Sequence, residues 1–253
     1  MRPDPAAGPG AAVAATSAVA GAAGAELAAQ VIVIAKEPVP GRVKTRLTPP
    51  FTPQEAAQLA EAAIADTLAA VAATPVARRV LALAGSPGPW LPPGFDVIAQ
   101  SGGGLDVRLG RAFADCHAGR ALPMVLIGMD TPQVTPELLT AAVTPLLTGE
   151  ADATFGPAAD GGFWLLGLCR PDPRLIAGVP MSTGDTGRIQ RERLTAAGLR
   201  VRDLRELTDV DTFAEAEQVA AATPGSRFAG AFASAAAQNA AATTSAAARL
   251  APA

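Results

Sequence analysis

Between residues 30 and 222 the chain switches repeatedly between two rhythms of apolar and polar positions. Val31 to Ala35 is an unbroken apolar, β-branched run, the pattern of a strand covered on both faces. Thr52-Pro53-Gln54-Glu55 follows as a capping box with proline at the first helical position. The helix it opens is predicted to reach about Ala73, with Leu59, Ala63, Asp66 and Ala70 at helical spacing. Val76 to Ala84 and Phe95 to Ala99 read as strands, and Leu105 to Ala118 as a helix. Met124 to Met129 is a further buried strand that delivers Asp130 at its end. Thr135-Pro136-Glu137 caps a helix to about Leu147. Asp152 to Phe155 and Phe163 to Cys169 read as strands around a Gly-rich turn. A helix over Thr186 to Ala197, a short strand over Leu199 to Leu204 and a helix over Thr212 to Ala222 complete the series.

Such alternation implies an α/β fold with a mainly parallel sheet between helical layers. Ligands of such sheets sit outside the carboxyl ends of the strands. The loops after Ala35, Ala99 and Met129 should therefore share one rim. The ends have a different character. Residues 1–28 are rich in Ala, Gly and Pro and read as a disordered extension or a misplaced start. Residues 29–223 form the predicted catalytic domain, and 224–253 an Ala-rich low-complexity tail with little to bury. No run resembles a membrane span or a secretory signal.

The formal net charge of −3 lacks the excess of basic residues that general nucleic-acid binding needs. Two cysteines, 53 positions apart, and a single histidine give neither a zinc site nor a disulfide framework, and the expected compartment is the cytoplasm. Tyrosine is absent. Both lysines of the chain, Lys36 and Lys44, lie in one stretch, Ala35-Lys36-Glu-Pro-Val-Pro-Gly41-Arg-Val-Lys44-Thr-Arg46-Leu. An Arg-biased chain that keeps Lys there points to sites needing a compact ammonium. With Arg42 and Arg46 they make a cationic loop after a strand, where α/β proteins present amides and cations to phosphate.

Four further segments carry candidate chemistry. Asp130 suits a hard divalent cation, Mg²⁺ or Mn²⁺, which takes one or two carboxylates together with substrate phosphate oxygens; the alternative is a turn cap before Thr131-Pro132. Asp209 and Asp211, on one side of an extended segment, could complete that cation site or cap the last helix. Gly102 and Gly103 follow Gln100 and would let backbone approach a nucleotide, or form a plain turn; the spacing fits neither GxGxxG nor a Walker loop. In Gly156-Pro-Ala-Ala-Asp160-Gly161-Gly162-Phe163-Trp164, Asp160 could contact an acceptor hydroxyl or take its proton. Gly161 and Gly162 would make room and Trp164 would stack; the alternative is a hairpin turn with the rings in the core.

Taken together, the Lys36–Leu47 stretch, Gln100-x-Gly-Gly, Ile127-Gly-x-Asp130-x-Pro132, Gly156-Pro-x-x-Asp160-Gly-Gly-Phe-Trp and Asp209-Val-Asp211-Thr resemble the DUF2064 family. That family lies in the GT-A glycosyltransferase superfamily, and its members are often labelled rSAM/selenodomain-associated transferase 1 or arsenosugar-biosynthesis glycosyltransferase. The resemblance spans about residues 30–220. It implies a nucleotide-diphospho-sugar transferase-like fold, a divalent cation, a nucleotide-activated donor and a small-molecule acceptor. Lys36, Gly41, Lys44 and Arg46 would then hold donor phosphates, Asp130 would stand for the metal carboxylate of a DxD motif, and Asp211, with Asp209 beside it, would take the later metal position. Gly128-Met-Asp130 offers one carboxylate where typical glycosyltransferases offer two. This is closer to the nucleotidyltransferase branch, and Lys44-Thr-Arg46-Leu resembles 2-phospholactate guanylyltransferases, although the Leu-Ala-Gly-Gly opening of sugar nucleotidyltransferases is missing. The expected activity is glycosyl transfer, with nucleotidyl transfer or nucleotide binding without turnover as alternatives.

Overall fold

The structure, a computed structural model, describes residues 26–250, with side chains described as far as residue 241. In chain order the elements are β1 (Leu27–Lys36), α1 (Pro53–Ala73), β2 (Val76–Ala84), β3 (Asp96–Ala99), α2 (Leu105–Gly119), β4 (Met124–Ile127), α3 (Pro136–Thr148), β5 (Ala153–Pro157), β6 (Phe163–Leu168), α4 (Thr186–Ala196), β7 (Val201–Asp203), α5 (Phe213–Ala222) and α6 (Arg227–Leu250). The expected extension over 1–28 lies, up to residue 25, outside the described residues; β1 already begins at Leu27.

One seven-stranded sheet runs in the order β3-β2-β1-β4-β6-β5-β7. Every pairing is parallel except those of β6 with β4 and β5. The five residues between β5 and β6 are too few for a parallel crossover, so the chain returns as a hairpin. Strand alternation sorts the core into two layers. Val31, Val33, Leu81, Leu83, Val125 and Ile127 face α1 and α3. Ile32, Val80, Ala82, Met124 and Leu126 face the α2 side, against Leu109 and Phe113. An α/β fold with a mainly parallel sheet and helices on both faces is therefore what the chain adopts.

Helix starts follow the sequence signals. The Thr52 hydroxyl accepts from the Glu55 amide at 3.2 Å, and the Glu55 carboxylate accepts from the Thr52 amide at 2.7 Å, closing the capping box of α1. Thr212 and Glu215 build a second box at α5. Against the expectation that no run resembles a membrane span, α1 is long and apolar enough to cross one by length and composition; in the fold it is a core helix.

A third apolar cluster joins α1, α5 and α6. Phe228, Phe232 and Ala235 of α6 are buried against Leu47, Phe51, Leu59 and Val219. The rings of Phe51, Phe213 and Phe232 meet with centroids 5.4–5.7 Å apart. The segment after Pro224, expected to have little to bury, thus closes the outer face of α1. Its two phenylalanines supply the large apolar surface that its alanines lack.

Candidate functional site

The carboxyl ends of β1, β3 and β4 open on a cleft of about 600 Å³. Gln100 sets one end of it. Its Nε2 donates to the carbonyls of Ala35 and Ala82, at 2.7 and 2.9 Å, and so clasps the ends of β1 and β2. Both amide hydrogens are thereby used, which fixes Oε1 toward Arg108, whose Nη1 donates to it at 2.9 Å. The Nε of Arg108 is buried without a partner, while the residue itself lines the cleft. Lys36 and Arg42 also line the cleft, and among the described residues their side-chain cations make no hydrogen bond or ion pair.

Lys44 marks the middle. Its backbone is left-handed, at φ 49°, just before a 3₁₀ turn over Thr45–Leu47. The ammonium contacts Asp130, donates to the Val210 carbonyl and lies 3.3 Å from Asp211 Oδ1. Burial works against its charge, but Asp130 and Asp211 outweigh that, and its pKa is held above the ordinary lysine value. Arg46 meets the other oxygen of Asp211 at 2.8 Å from an exposed position. The Val210 amide donates to the Asp130 carbonyl at 2.9 Å, tying the 209–211 segment to the end of β4.

Carboxylates dominate the far end. Asp160 lies in the β5–β6 hairpin, where its Oδ1 accepts from the Gly162 amide at 2.8 Å. Asp209 is pushed up to about 7 by burial first and then by the charges of Asp130 and Asp160. The cleft is therefore graded. Lys36 and Arg42 sit after β1 and Arg108 on α2, acids sit beyond β4, and Lys44 joins the two.

The structure brings together Lys36, Lys44, Arg46, Asp130, Asp160, Gly162, Asp209 and Asp211 of the expected set. Gly41, Gly102 and Gly103 do not line the cleft. They are exposed turn residues, Gly41 and Gly103 with positive φ, and Gly103 packs against Val107. Trp164 reaches the lining but is 2 % exposed, with its indole N–H on the Arg205 carbonyl at 3.0 Å and its ring against Gly156. Its ring is core rather than a stacking face. A Cβ on Gly161 would collide with the Gly184 carbonyl, so that glycine admits a neighbouring loop.

That loop, Met181–Thr186, lines the acidic end. Gly187 docks it by donating to the Gly161 carbonyl at 2.8 Å, and Thr186 ties it by donating to the Pro180 carbonyl at 2.8 Å. Neither this loop nor Arg108 is among the candidate residues of the sequence motifs. Met181-Ser-Thr-Gly-Asp-Thr186 has no period and reads as a mere helix approach. The signal for Arg108 was its place one helical turn inside the glycine loop.

The donor set for a metal is all oxygen, the chemistry of Mg²⁺ or Mn²⁺. Among the described residues no three His, Cys, Asp or Glu side chains form a ready cage. One or two carboxylates plus ligand oxygens suffice for these ions, and Asp130, Asp209 and Asp211 line the same cleft. The residues therefore fit a divalent cation at Asp130 with Asp209 or Asp211.

A family model described as an uncharacterized protein conserved in bacteria, DUF2064, matches residues 56–183. The chain belongs to the DUF2064 family. This DUF2064 protein is similar, with a TM-score of 0.72 and 27% identity over 81% of its length and 92% of the other, to a candidate nucleotide-diphospho-sugar transferase from Desulfovibrio desulfuricans G20. The fold is that of the nucleotide-diphospho-sugar transferases. Weaker likenesses include Rv0371c from Mycobacterium tuberculosis H37Rv in complex with manganese, at TM-score 0.47 and 21% identity over 77% of this chain and 98% of that one. Another is glucosyl-3-phosphoglycerate synthase from Mycobacterium tuberculosis in complex with Mn²⁺, uridine diphosphate and glucosyl-3-phosphoglycerate, at TM-score 0.45 and 14% identity over 72% and 70%. No curated protein matches the DUF2064 chain.

Proposed function

We propose that the protein is a divalent-metal-dependent glycosyltransferase that moves a sugar from a nucleotide-activated donor to a small-molecule acceptor. The observation that carries this reading is the grading of one cleft, with uncommitted cations Lys36 and Arg42 at one end and four carboxylates at the other, joined through Lys44. Lys36, Arg42 and Arg108 bind and orient the donor diphosphate. They act differentially because charge builds on the leaving diphosphate in the transition state. The metal would be held by Asp130 with Asp209 or Asp211 and would supply further neutralisation of that charge. Asp160 offers its free carboxylate oxygen to an acceptor hydroxyl and takes its proton. The likeness to the Desulfovibrio protein supports a nucleotide-sugar donor.

Nucleotidyl transfer onto a phosphorylated acceptor is the second reading, favoured by the single carboxylate at the end of β4. The acceptor end speaks against it. Asp160 and Asp209 would repel a phosphate there, whereas they suit a hydroxyl- or amine-bearing molecule. Pyrophosphate release separates the two reactions. The proposal is tested by calorimetry of nucleoside diphosphates and nucleotide sugars with Mn²⁺. Asp130→Ala is expected to abolish metal-dependent binding, and undiminished binding in that variant would refute the role.

A further inference from the structure

Lys44 is not placed where a dedicated phosphate ligand belongs. Its ammonium is surrounded by Asp130, the Val210 carbonyl and Asp211, and its side chain is 6% exposed. Two carboxylates and a backbone carbonyl are the donor set a hard divalent ion selects. The loop that carries it is held in a left-handed turn at Lys44 itself, so the side chain is delivered inward while Thr45 and Arg46 stay exposed. The cations that face an incoming ligand freely are Lys36 and Arg42. An ammonium and a divalent ion cannot occupy the same oxygens, because their like charges repel strongly at contact distance in a partly buried site.

We infer that Lys44 is a built-in competitor of the metal: in the metal-free protein its ammonium holds the cation position between Asp130 and Asp211, and metal binding drives it across to the phosphate oxygens of the donor. This rests on the cleft being the metal site proposed above. Metal and donor then help each other. The ion frees Lys44, the phosphates give it a new partner, and each ligand raises the affinity of the other. Asp130 and Asp211 are also never left facing each other without a cation.

The test uses the full chain. Free Mn²⁺ is measured by electron paramagnetic resonance during titration of the wild type, Lys44→Met and Lys44→Gln, without nucleotide. Both variants are expected to bind Mn²⁺ at least about tenfold more tightly, since a cation is removed from contact with the ligands. Unchanged or weaker binding in both overturns the inference and leaves the metal site standing. If neither wild type nor variants bind Mn²⁺, the metal reading itself fails. A second measurement needs no variant. With two lysines in the chain, reductive methylation located by peptide mass spectrometry separates Lys36, Lys44 and the N-terminal amine. Lys36 should react throughout, and Lys44 should react only after Mn²⁺ is added. Equal protection of Lys44 with and without Mn²⁺ overturns the inference.

Discussion

Single side chains in the cleft work against their own solvation, and two of them make measurable statements. Asp209 is raised to about 7, above the usual value for an unfolded aspartate. Between those two values the folded protein binds more protons than the unfolded chain. Stability contributed at this position is therefore lost as pH rises from about 4 to about 7. In metal-free protein, Asp209→Asn is expected to raise the melting temperature at pH 8 and to change it little at pH 4, with a gain of about 1–3 kcal/mol at the higher pH. A gain independent of pH in thermal melts would contradict the charge explanation. Arg108→Ala removes a positioned donor, and nucleotide affinity should fall about tenfold or more in calorimetry, the worth of one hydrogen bond to a charged group. Arg79 donates to the Val71 and Thr74 carbonyls, away from the cleft, and Arg79→Ala should leave affinity unchanged. Equal losses in the two variants would remove Arg108 from the donor site.

At the scale of elements, strands and helices were legible because their signals are local. Apolar runs, capping residues and Pro at helix starts depend on neighbours a few positions away. The end of β4 and its Asp130 were legible for the same reason. The contacts of the β5–β6 hairpin were not. Gly161 and Gly162 carry no local mark that says whether their missing side chains admit a ligand or a loop. Only the fold brings Gly184 and Gly187 against them. Gly161→Ala adds a Cβ at φ 86° against the Gly184 carbonyl. A loss of about 1–3 kcal/mol is expected from this overpacking, seen as a fall in melting temperature of roughly 2–4 °C per kcal/mol at this size. Acceptor-dependent turnover should fall further than nucleotide affinity, because the displaced loop borders the acidic end. An unchanged melting temperature would mean that the hairpin and the loop are not in contact.

Across the whole molecule, composition misjudged the C-terminal segment. Alanine-rich sequence has little to bury on average, but stability follows the few large side chains that find a partner. Phe228 is fully buried between α1 and α5. Phe228→Ala is expected to cost about 3–5 kcal/mol, or roughly 6–20 °C in melting temperature for a domain of this size, without changing nucleotide affinity below the transition. A chain ending before α6 that melts at the wild-type temperature would refute the role of this helix. The general plan of the molecule was readable because alternating strand and helix patterns leave few topologies open. The antiparallel return of β6 followed from a connection only five residues long.

Lys44 lies near the beginning of the folded chain, and its partners Val210 and Asp211 lie near the end. Ribosomes deliver residues from the N-terminus at a finite pace, and early segments can fold before late ones exist. The first four strands and their helices can assemble while the second half is still being translated, yet the cation–carboxylate junction cannot close until residue 211 has emerged. Nascent or prematurely terminated chains are therefore expected to carry a rim in which Lys44 meets Asp130 alone, without the Val210 carbonyl and Asp211.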